Sequence, residues 1–351
     1  MADPAAPVLD IQGLTVRLPV HADRENAIEN VSFTVLPHEI MCVVGESGSG
    51  KSVTAHTIMG LLPRKQLTPT AGRILFQGED LLQKSPARLR ARCGARISMI
   101  FQEPMTALNP VMSIGEQIEE VLRIHGGMAP RERMARVIEV MQAVNLPEPE
   151  RLVTSYPHQL SGGQRQRVMI AAALVLQPAL LIADEPTTAL DVTTQAQILR
   201  LIKDIQRTHG TAVLFITHDF GVVADIADRV AVMQNGLVVE QGDAKTVLNA
   251  PRHPYTRMLI SAVPSMTPPA RPSRAEAPVV LETQGLCKTY RDGGFFQRAR
   301  EVRAAHNVEL LVRRGETLGI VGESGSGKST VARCIVRLID PSSGHVRIDG
   351  R

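Results

Sequence analysis

Tryptophan is missing from this 351-residue chain, and with three tyrosines and seven phenylalanines the aromatics amount to only 3%. A membrane-spanning bundle with Trp/Tyr belts at its interfaces would read differently. Long apolar runs are also missing. The longest, residues 168–176, is nine residues before Gln177 and Pro178 stop it, whereas a spanning helix needs about twenty. The opening MADPAAPVLD lacks the basic-then-apolar pattern of a secretory signal, which points to a cytoplasmic protein. Four scattered cysteines (Cys42, Cys93, Cys287, Cys334) form no CxxC pair and have no near histidine in the sequence, so neither a disulfide frame nor a zinc site is expected. Charge of one sign is not in large excess: the net value is +4 with both signs interspersed, and no nucleic-acid partner is expected. What remains is 44% hydrophobic and 21% charged, with a mean hydropathy near zero. That is too balanced for disorder and too long for one ordinary domain, so two folded units of unequal size are expected.

The chain repeats itself. VLDIQGL at 8–14 returns as VLETQGL at 280–286, and VVGESGSGKS at 43–52 returns as IVGESGSGKS at 320–329. AIENVSFTV and AAHNVELLV match in register, with Asn30 answering Asn307, and GHVRIDG near the end mirrors AGRILFQG at 71–78. Nothing resembling residues 79–250 follows the second copy. The expected organisation is a first unit over 1–263, a linker over 264–278 and the leading part of a second unit over 279–351. The linker reads PSMTPPARPSRAEAP, with prolines at 264, 268, 269, 272 and 278; such a composition is extended and semi-rigid.

Within the first unit, residues 40–44, 180–183 and 212–217 are short apolar runs that end at polar residues or glycine, as buried parallel strands do. Residues 73–77 and 237–240 read as peripheral strands. Residues 113–125 and 131–145 are helical: Ile114, Ile118, Val121 and Leu122, then Met134, Val137, Ile138 and Met141, fall at helical spacing. Ser113 with Glu116 makes a capping box. The sum is an α/β core with a helical insertion between about 105 and 160.

Gly45, Glu46, Ser47, Gly48, Ser49, Gly50, Lys51 and Ser52 follow a strand and open a helix. In that context the glycines let backbone N–H groups wrap phosphates, and the helix N-terminus favours the anion. Lys51 would reach the β- and γ-phosphates and the Ser52 hydroxyl would ligate Mg²⁺. A plain Gly/Ser turn would not place strand, loop and helix in this order twice. The strand ending in Asp184-Glu185 supplies the acidic element: Asp184 to hold Mg²⁺ through its water shell, Glu185 to polarise the attacking water as general base. Ser161, Gly162, Gly163 and Gln164 open another helix, a second anion cradle. One nucleotide does not need two such cradles, so the second serves a nucleotide held by another copy.

These motifs resemble the ATP-binding subunits of ABC transporters, and the first unit resembles them over roughly 8–265. The resemblance implies a P-loop ABC nucleotide-binding domain: parallel core sheet, antiparallel β subdomain and helical insertion, with a partial second copy. It implies ATP and Mg²⁺ as cofactors. Gln102 stands at the Q-loop, sensing Mg²⁺ and the attacking water; Asp191 matches the D-loop at the dimer interface; His218 matches the switch histidine on the γ-phosphate. In the second copy Gly322, Gly325, Gly327, Lys328, Ser329 and Thr330 repeat the phosphate loop, with Ser329 toward the metal. GESGSGKS, FQEPMTALNP, SYPHQLSGGQRQRVMIAAAL and HPYTRMLISAVP are similar to the dipeptide, oligopeptide, nickel and glutathione importers, and the tandem arrangement is similar to their fused forms. That implies ATP hydrolysis coupled to peptide uptake, with glutathione second and nickel third as alternative cargoes. It also implies inner-membrane permease subunits, a second ATP-binding domain and, indirectly, an extracellular solute-binding protein as partners, and a peripheral place on the cytoplasmic face of the inner membrane.

Some features depart from that pattern. Where the family pattern has an adenine-stacking aromatic the first unit has Leu18, whereas Tyr290 holds that position in the second, so the first site is expected to grip adenine more loosely. Pro37-His38-Glu39 replaces the usual turn seen as Arg314-Gly315-Glu316, and His38 has no functional reading. No cysteine lies between Cys93 and Cys287, so the iron–sulfur cluster proposed for some relatives is absent. The second copy carries no Q-loop, signature, acidic strand end or switch histidine, and reads as truncated; its core strand is expected to present an open edge. Two other functions compete with the transporter motor. A soluble ABC ATPase acting on ribosomes or DNA would show a charged helical linker, zinc cysteine pairs or a coiled coil. A truncated chain would bind ATP without productive turnover.

Overall fold

The computed structural model describes residues 6–63, 66–188, 190–263, 267, 275–292, 300–323 and 325–351. Contacts divide the chain into two compact units, Met1–Leu190 with Thr194–Pro264, and Ser265–Arg351 with Asp191–Thr193. Of the proline-rich stretch at 264–278, only Thr267 and residues 275–278 lie within the described residues.

The first unit opens with β1 (Leu9–Arg17), β2 (Asn26–Val35) and β3 (Ile40–Val44), which runs into α1 (Lys51–Met59). β4 (Thr68–Phe76), β5 (Glu79–Asp80), α2 (Pro86–Arg92) and β6 (Ile97–Ile100) follow. The insertion contributes α3 (Pro104–Ala107), α4 (Ile114–His125), α5 (Pro130–Ala143) and α6 (Pro149–Leu152). After it come α7 (Gly162–Leu174), β7 (Leu180–Asp184), α8 (Val192–His209), β8 (Ala212–Thr217) and α9 (Phe220–Ile226). The unit closes with β9 (Arg229–Gln234), β10 (Leu237–Asp243), α10 (Ala244–Asn249) and α11 (Pro254–Ser261).

Six of these strands form one sheet in the order β10-β9-β3-β8-β7-β6. All neighbours are parallel except β10 with β9. β3 lies between β8 and β9 and is buried along its whole length. Because side chains alternate across a strand, Ile40, Cys42 and Val44 enter one core with Ile118, Val137, Met141, Val168 and Ile202 of the helices. Met41 and Val43 enter the other core, with Leu9, Ile11, Val31 and Ile74 of an antiparallel sheet ordered β2-β1-β4-β5. Burial of each large apolar side chain contributes about 1.5–3 kcal/mol relative to exposure. The parallel sheet is thus covered on both faces, which is why its strands read as uninterrupted apolar runs. The helical insertion, the peripheral strands and the capping box of Ser113 with Glu116 appear where the pattern places them.

The second unit contains β11 (Val279–Asp292), β12 (Arg300–Arg313), α12 (Lys328–Ile335) and β13 (Ser343–Ile348). Its sheet is antiparallel, in the order β12-β11-β13, over a small core of Leu286, Ala305, Val331 and Cys334. The open-edged core strand expected here is not formed. Residues 316–323 lie outside any strand, and Val321, the counterpart of the fully buried Val44, is 92% exposed. A strand exists through hydrogen bonds to its neighbours, and this segment has no parallel pair among the described residues, whereas β3 has two. Pairing of β11 with β12 brings Cys287 Sγ to 3.9 Å from His306 Nδ1, two side chains distant in the sequence. The described residues still hold no cluster of three or more metal-ligating side chains.

Candidate active site

β3 delivers the chain into a tight loop that α1 continues. Gly45 has φ 152° and Gly50 φ 105°; a Cβ would lie 2.2 Å from Met233 O at the first and 2.4 Å from Ile28 Cγ2 at the second. Both positions therefore demand glycine, for the space as much as for the backbone angle. A Cβ on Gly48 would meet nothing within 4 Å, so the loop is open on that side. Helix α1 has no side-chain cap, which leaves its first N–H groups to whatever fills the hollow. Lys51 folds back into the loop, where Nζ donates to Gly45 O and Glu46 O, each at 2.8 Å, and lies 3.4 Å from Ser49 Oγ. Burial lowers the lysine pKa, and the charges of Glu185 and Asp184 oppose that shift.

The acidic end of β7 meets this loop. The Ser52 hydroxyl donates to Asp184 Oδ1 at 3.0 Å. Asp184 is buried, and desolvation raises its carboxyl above the ordinary value although the Ser52 bond pulls the other way. Glu185 follows with φ 46°, a left-handed conformation that costs a non-glycine residue about 1–3 kcal/mol and is found where a site needs it. Its carboxylate gathers three groups: Gln102 Nε2 donates to Oε2 at 3.1 Å, Thr188 Oγ1 donates to Oε2 at 3.0 Å, and His218 Nδ1 lies 3.2 Å from Oε1. Lys51 and Ser52 of α1, Asp184 and Glu185 at the end of β7, Gln102 after β6 and His218 after β8 are thus brought together from four places in the chain.

Other residues named from the sequence stand apart from this cluster. Ser161 caps α7: its Oγ accepts the Gln164 N–H at 3.3 Å, and Gln164 Oε1 accepts the Ser161 N–H at 2.9 Å. A Cβ on Gly162 would meet nothing, while one on Gly163 would lie 2.8 Å from Thr194 Cγ2. Asp191 sits just ahead of α8. In the second unit the phosphate loop repeats the first closely: Lys328 Nζ donates to Gly322 O at 2.6 Å and Glu323 O at 2.7 Å, with Ser326 Oγ at 3.3 Å. Gly327 is left-handed, Ser329 and Thr330 lie in the first turn of α12, and Gly325 faces open space. Tyr290 is half-exposed with Lys288 Nζ 5.4 Å from its ring centroid. Leu18 bonds its N–H to Glu25 O at 2.9 Å.

Three contacts have no counterpart in the sequence reading. Thr188 holds the Glu185 carboxylate, and its only signal is its place three residues on, in a turn. The Arg24 guanidinium donates to Gly48 O at 2.7 Å and Ala27 O at 3.2 Å, joining the β1–β2 loop to the phosphate loop. The Glu46 N–H donates to the Tyr255 hydroxyl at 3.2 Å, so the one amide at the start of the loop is engaged inside the protein.

The donor set fits the groups that the sequence implies. Ser52 and Asp184 offer only oxygen atoms, which suits a hard cation such as Mg²⁺. The glycine cradle, the uncapped α1 and Lys51 suit the phosphates of a nucleotide. No helix among the described residues is long and apolar enough to cross a membrane.

Comparison with known proteins identifies the family and the cassette fold. The family profile described as "ABC transporter" matches residues 28–188 and 305–351, and "Oligopeptide/dipeptide transporter, C-terminal region" matches 239–298. The chain is 46% identical over 347 residues to the peptidoglycan transport ATP-binding protein YejF of Agrobacterium fabrum, covering 98% of this chain and 63% of that protein. It is 44% identical over 375 residues to the glutathione import ATP-binding protein GsiA of Salmonella typhimurium, covering 98% and 60%. The chain therefore spans somewhat under two thirds of the length of these relatives. Among solved structures, it is similar to the dimeric structure of MJ0796, a bacterial ABC transporter cassette, with a TM-score of 0.60 and 30% identity over 67% of this chain and 98% of that one. The same agreement holds for the post-hydrolysis state of MJ0796 bound to ADP and Pi.

Proposed function

The chain belongs to the ABC transporter family, and from that premise we propose that it is an ATP-hydrolysing subunit of an importer for peptides, di-/oligopeptides or glutathione. Its first unit has the P-loop fold of an ABC nucleotide-binding cassette. The observation that carries the proposal is the convergence of Lys51, Ser52, Asp184, Gln102 and His218 around Glu185. The match of residues 239–298 to the oligopeptide/dipeptide transporter C-terminal region and the names of the relatives support the cargo class.

In this reading the loop amides and Lys51 take the β- and γ-phosphates, with Nζ keeping Gly45 O and turning its remaining N–H donors to phosphate oxygens. Ser52 and Asp184, with Gln102, would hold Mg²⁺, which when bound neutralises charge on the phosphate oxygens. Glu185 accepts a proton as water adds to the γ-phosphorus; the bond to the bridging oxygen breaks and ADP leaves. The Gln102 and Thr188 donors at 3.1 and 3.0 Å fix the Glu185 carboxylate for that proton transfer, with His218 Nδ1 3.2 Å away. Ser161–Gln164 and Asp191 serve the nucleotide of a facing cassette, so hydrolysis needs two units head to tail. The profile's match to both units supports reading the sequence as two cassettes in tandem, the first and the leading part of a second. Inner-membrane permease subunits and, through them, an extracellular solute-binding protein are the partners of such a motor, which acts from the cytoplasmic face of the membrane.

Replacing Glu185 with glutamine tests the site. ATP binding should persist while Mg²⁺-dependent hydrolysis falls at least about a hundredfold, the usual contribution of a general base. Turnover that survives the substitution removes Glu185 from this role.

A further inference from the structure

We propose that Tyr255 is a positioning residue for the nucleotide: its hydroxyl sets the Gly45–Glu46 peptide plane and, through that plane, Lys51. This rests on the reading of the first phosphate loop as an ATP site. A peptide unit is rigid and planar, with its C=O and N–H pointing in opposite directions. Here the carbonyl, Gly45 O, accepts the Lys51 ammonium at 2.8 Å, and the N–H, on Glu46, donates to Tyr255 Oη at 3.2 Å. The hydroxyl and the ammonium therefore hold the same plane from its two edges. Rotation of that plane would withdraw Gly45 O from Lys51 and carry the start of the loop with it.

Tyr255 is well placed for this. Its ring is buried in the core that lines one face of the parallel sheet. Burial raises the phenol above its ordinary pKa, although the Glu46 amide bond works against that, so it stays a neutral hydroxyl at physiological pH. The start of α11 is fixed in turn. Glu240 accepts the Arg252 N–H at 2.7 Å and the His253 N–H at 3.1 Å, and His253 Nδ1 accepts the Tyr255 N–H at 3.3 Å. The second phosphate loop supplies an internal contrast. Its Lys328 bonds the equivalent carbonyl, Gly322 O, but among the described residues no hydroxyl meets the Glu323 N–H. The C-terminal segment of the first unit thus supplies part of the phosphate site.

The test is ADP binding by calorimetry on the whole chain carrying Lys328→Ala, so that only the first loop is read. Adding Tyr255→Phe keeps the ring and removes the hydroxyl. The loss of one hydrogen bond at the loop should raise Kd for ADP about three- to tenfold. Adding Leu259→Ala instead loosens α11, where Leu259 packs half-buried on the same core, without touching the hydroxyl; it should lower the melting temperature and leave Kd unchanged. An unchanged Kd in Tyr255→Phe overturns the proposal, as does an equal rise in Leu259→Ala, which would make the helix a purely structural support. If the Lys328→Ala parent itself binds no ADP, the ATP-site reading falls and this inference with it.

Discussion

Asp184 sits at the end of β7 with almost no exposure, and burial holds its carboxyl above the ordinary aspartate value; the Ser52 hydroxyl, then the charges of His56 and Lys51, oppose the shift. An acid whose folded pKa is raised favours its protonated form in the fold. That contribution to stability is complete below the unfolded pKa and is lost as pH rises through the folded one. If Asp184 holds Mg²⁺ as proposed, the ion needs the ionised carboxylate, so below the raised pKa each bound Mg²⁺ must displace a proton. Mg²⁺ titrations of ATP binding at stepped pH should therefore weaken on acidification at a pH above the ordinary aspartate value of about 3.9. Asp184→Asn should flatten that dependence. A midpoint at or below the ordinary value would show that burial does not tune the metal site. Individual residues were unequally legible. Lys51 and Ser52 announce themselves through glycine spacing, whereas Gln102 and His218 were assigned by resemblance, and their approach to Glu185 requires β6, β7 and β8 to lie side by side. The contacts made by Thr188, Arg24 and Tyr255 are not legible, because a single hydroxyl or guanidinium does not show its partner until the fold places one beside it.

Elements with a period of their own were readable, and those held by a neighbour were not. Helix α4 shows both an apolar stripe and a reciprocal cap, in which Glu116 Oε2 accepts the Ser113 N–H at 2.9 Å and Ser113 Oγ accepts the Glu116 N–H at 3.3 Å. Ser113→Ala removes one side of that box and should destabilise the helix by about 1 kcal/mol. Amide exchange over residues 114–125 would then speed up about fivefold. No change there would mean that packing of Ile114, Ile118 and Leu122 on the core makes the cap redundant. β4 is the opposite case. Only residues 73–77 read as a strand, yet the ladder with β1 reaches back to Thr68. Residues 68–73 are exposed and carry no alternation; they are extended because the β1 backbone is there to bond them.

At the scale of the whole chain the two phosphate loops make a controlled comparison, since nearly the same ten residues fold in two settings. In the first unit β3 has a parallel neighbour on each side and a core on each face, while residues 316–323 of the second have neither. Yet both lysines bond the same two loop carbonyls. The loop conformation is therefore local, and the strand ahead of it is not. Hydrogen exchange should separate them: amides of residues 317–323 should exchange near unprotected rates while β3 and α1 exchange only through global opening. Comparable protection of the two segments would mean that the second unit is stabilised by contacts other than those described. The sequence by itself determined what depends on neighbours along the chain: the repeat, the glycine cradles, the helix caps and the apolar runs that must become buried strands. Only the tertiary structure decided which runs obtain partners, that Thr188 and His218 share one carboxylate, and that a tyrosine some two hundred positions away meets the Glu46 amide. Those outcomes depend on hydrogen bonds and close packing between distant segments, and such bonds exist only once the sheet has brought the segments together.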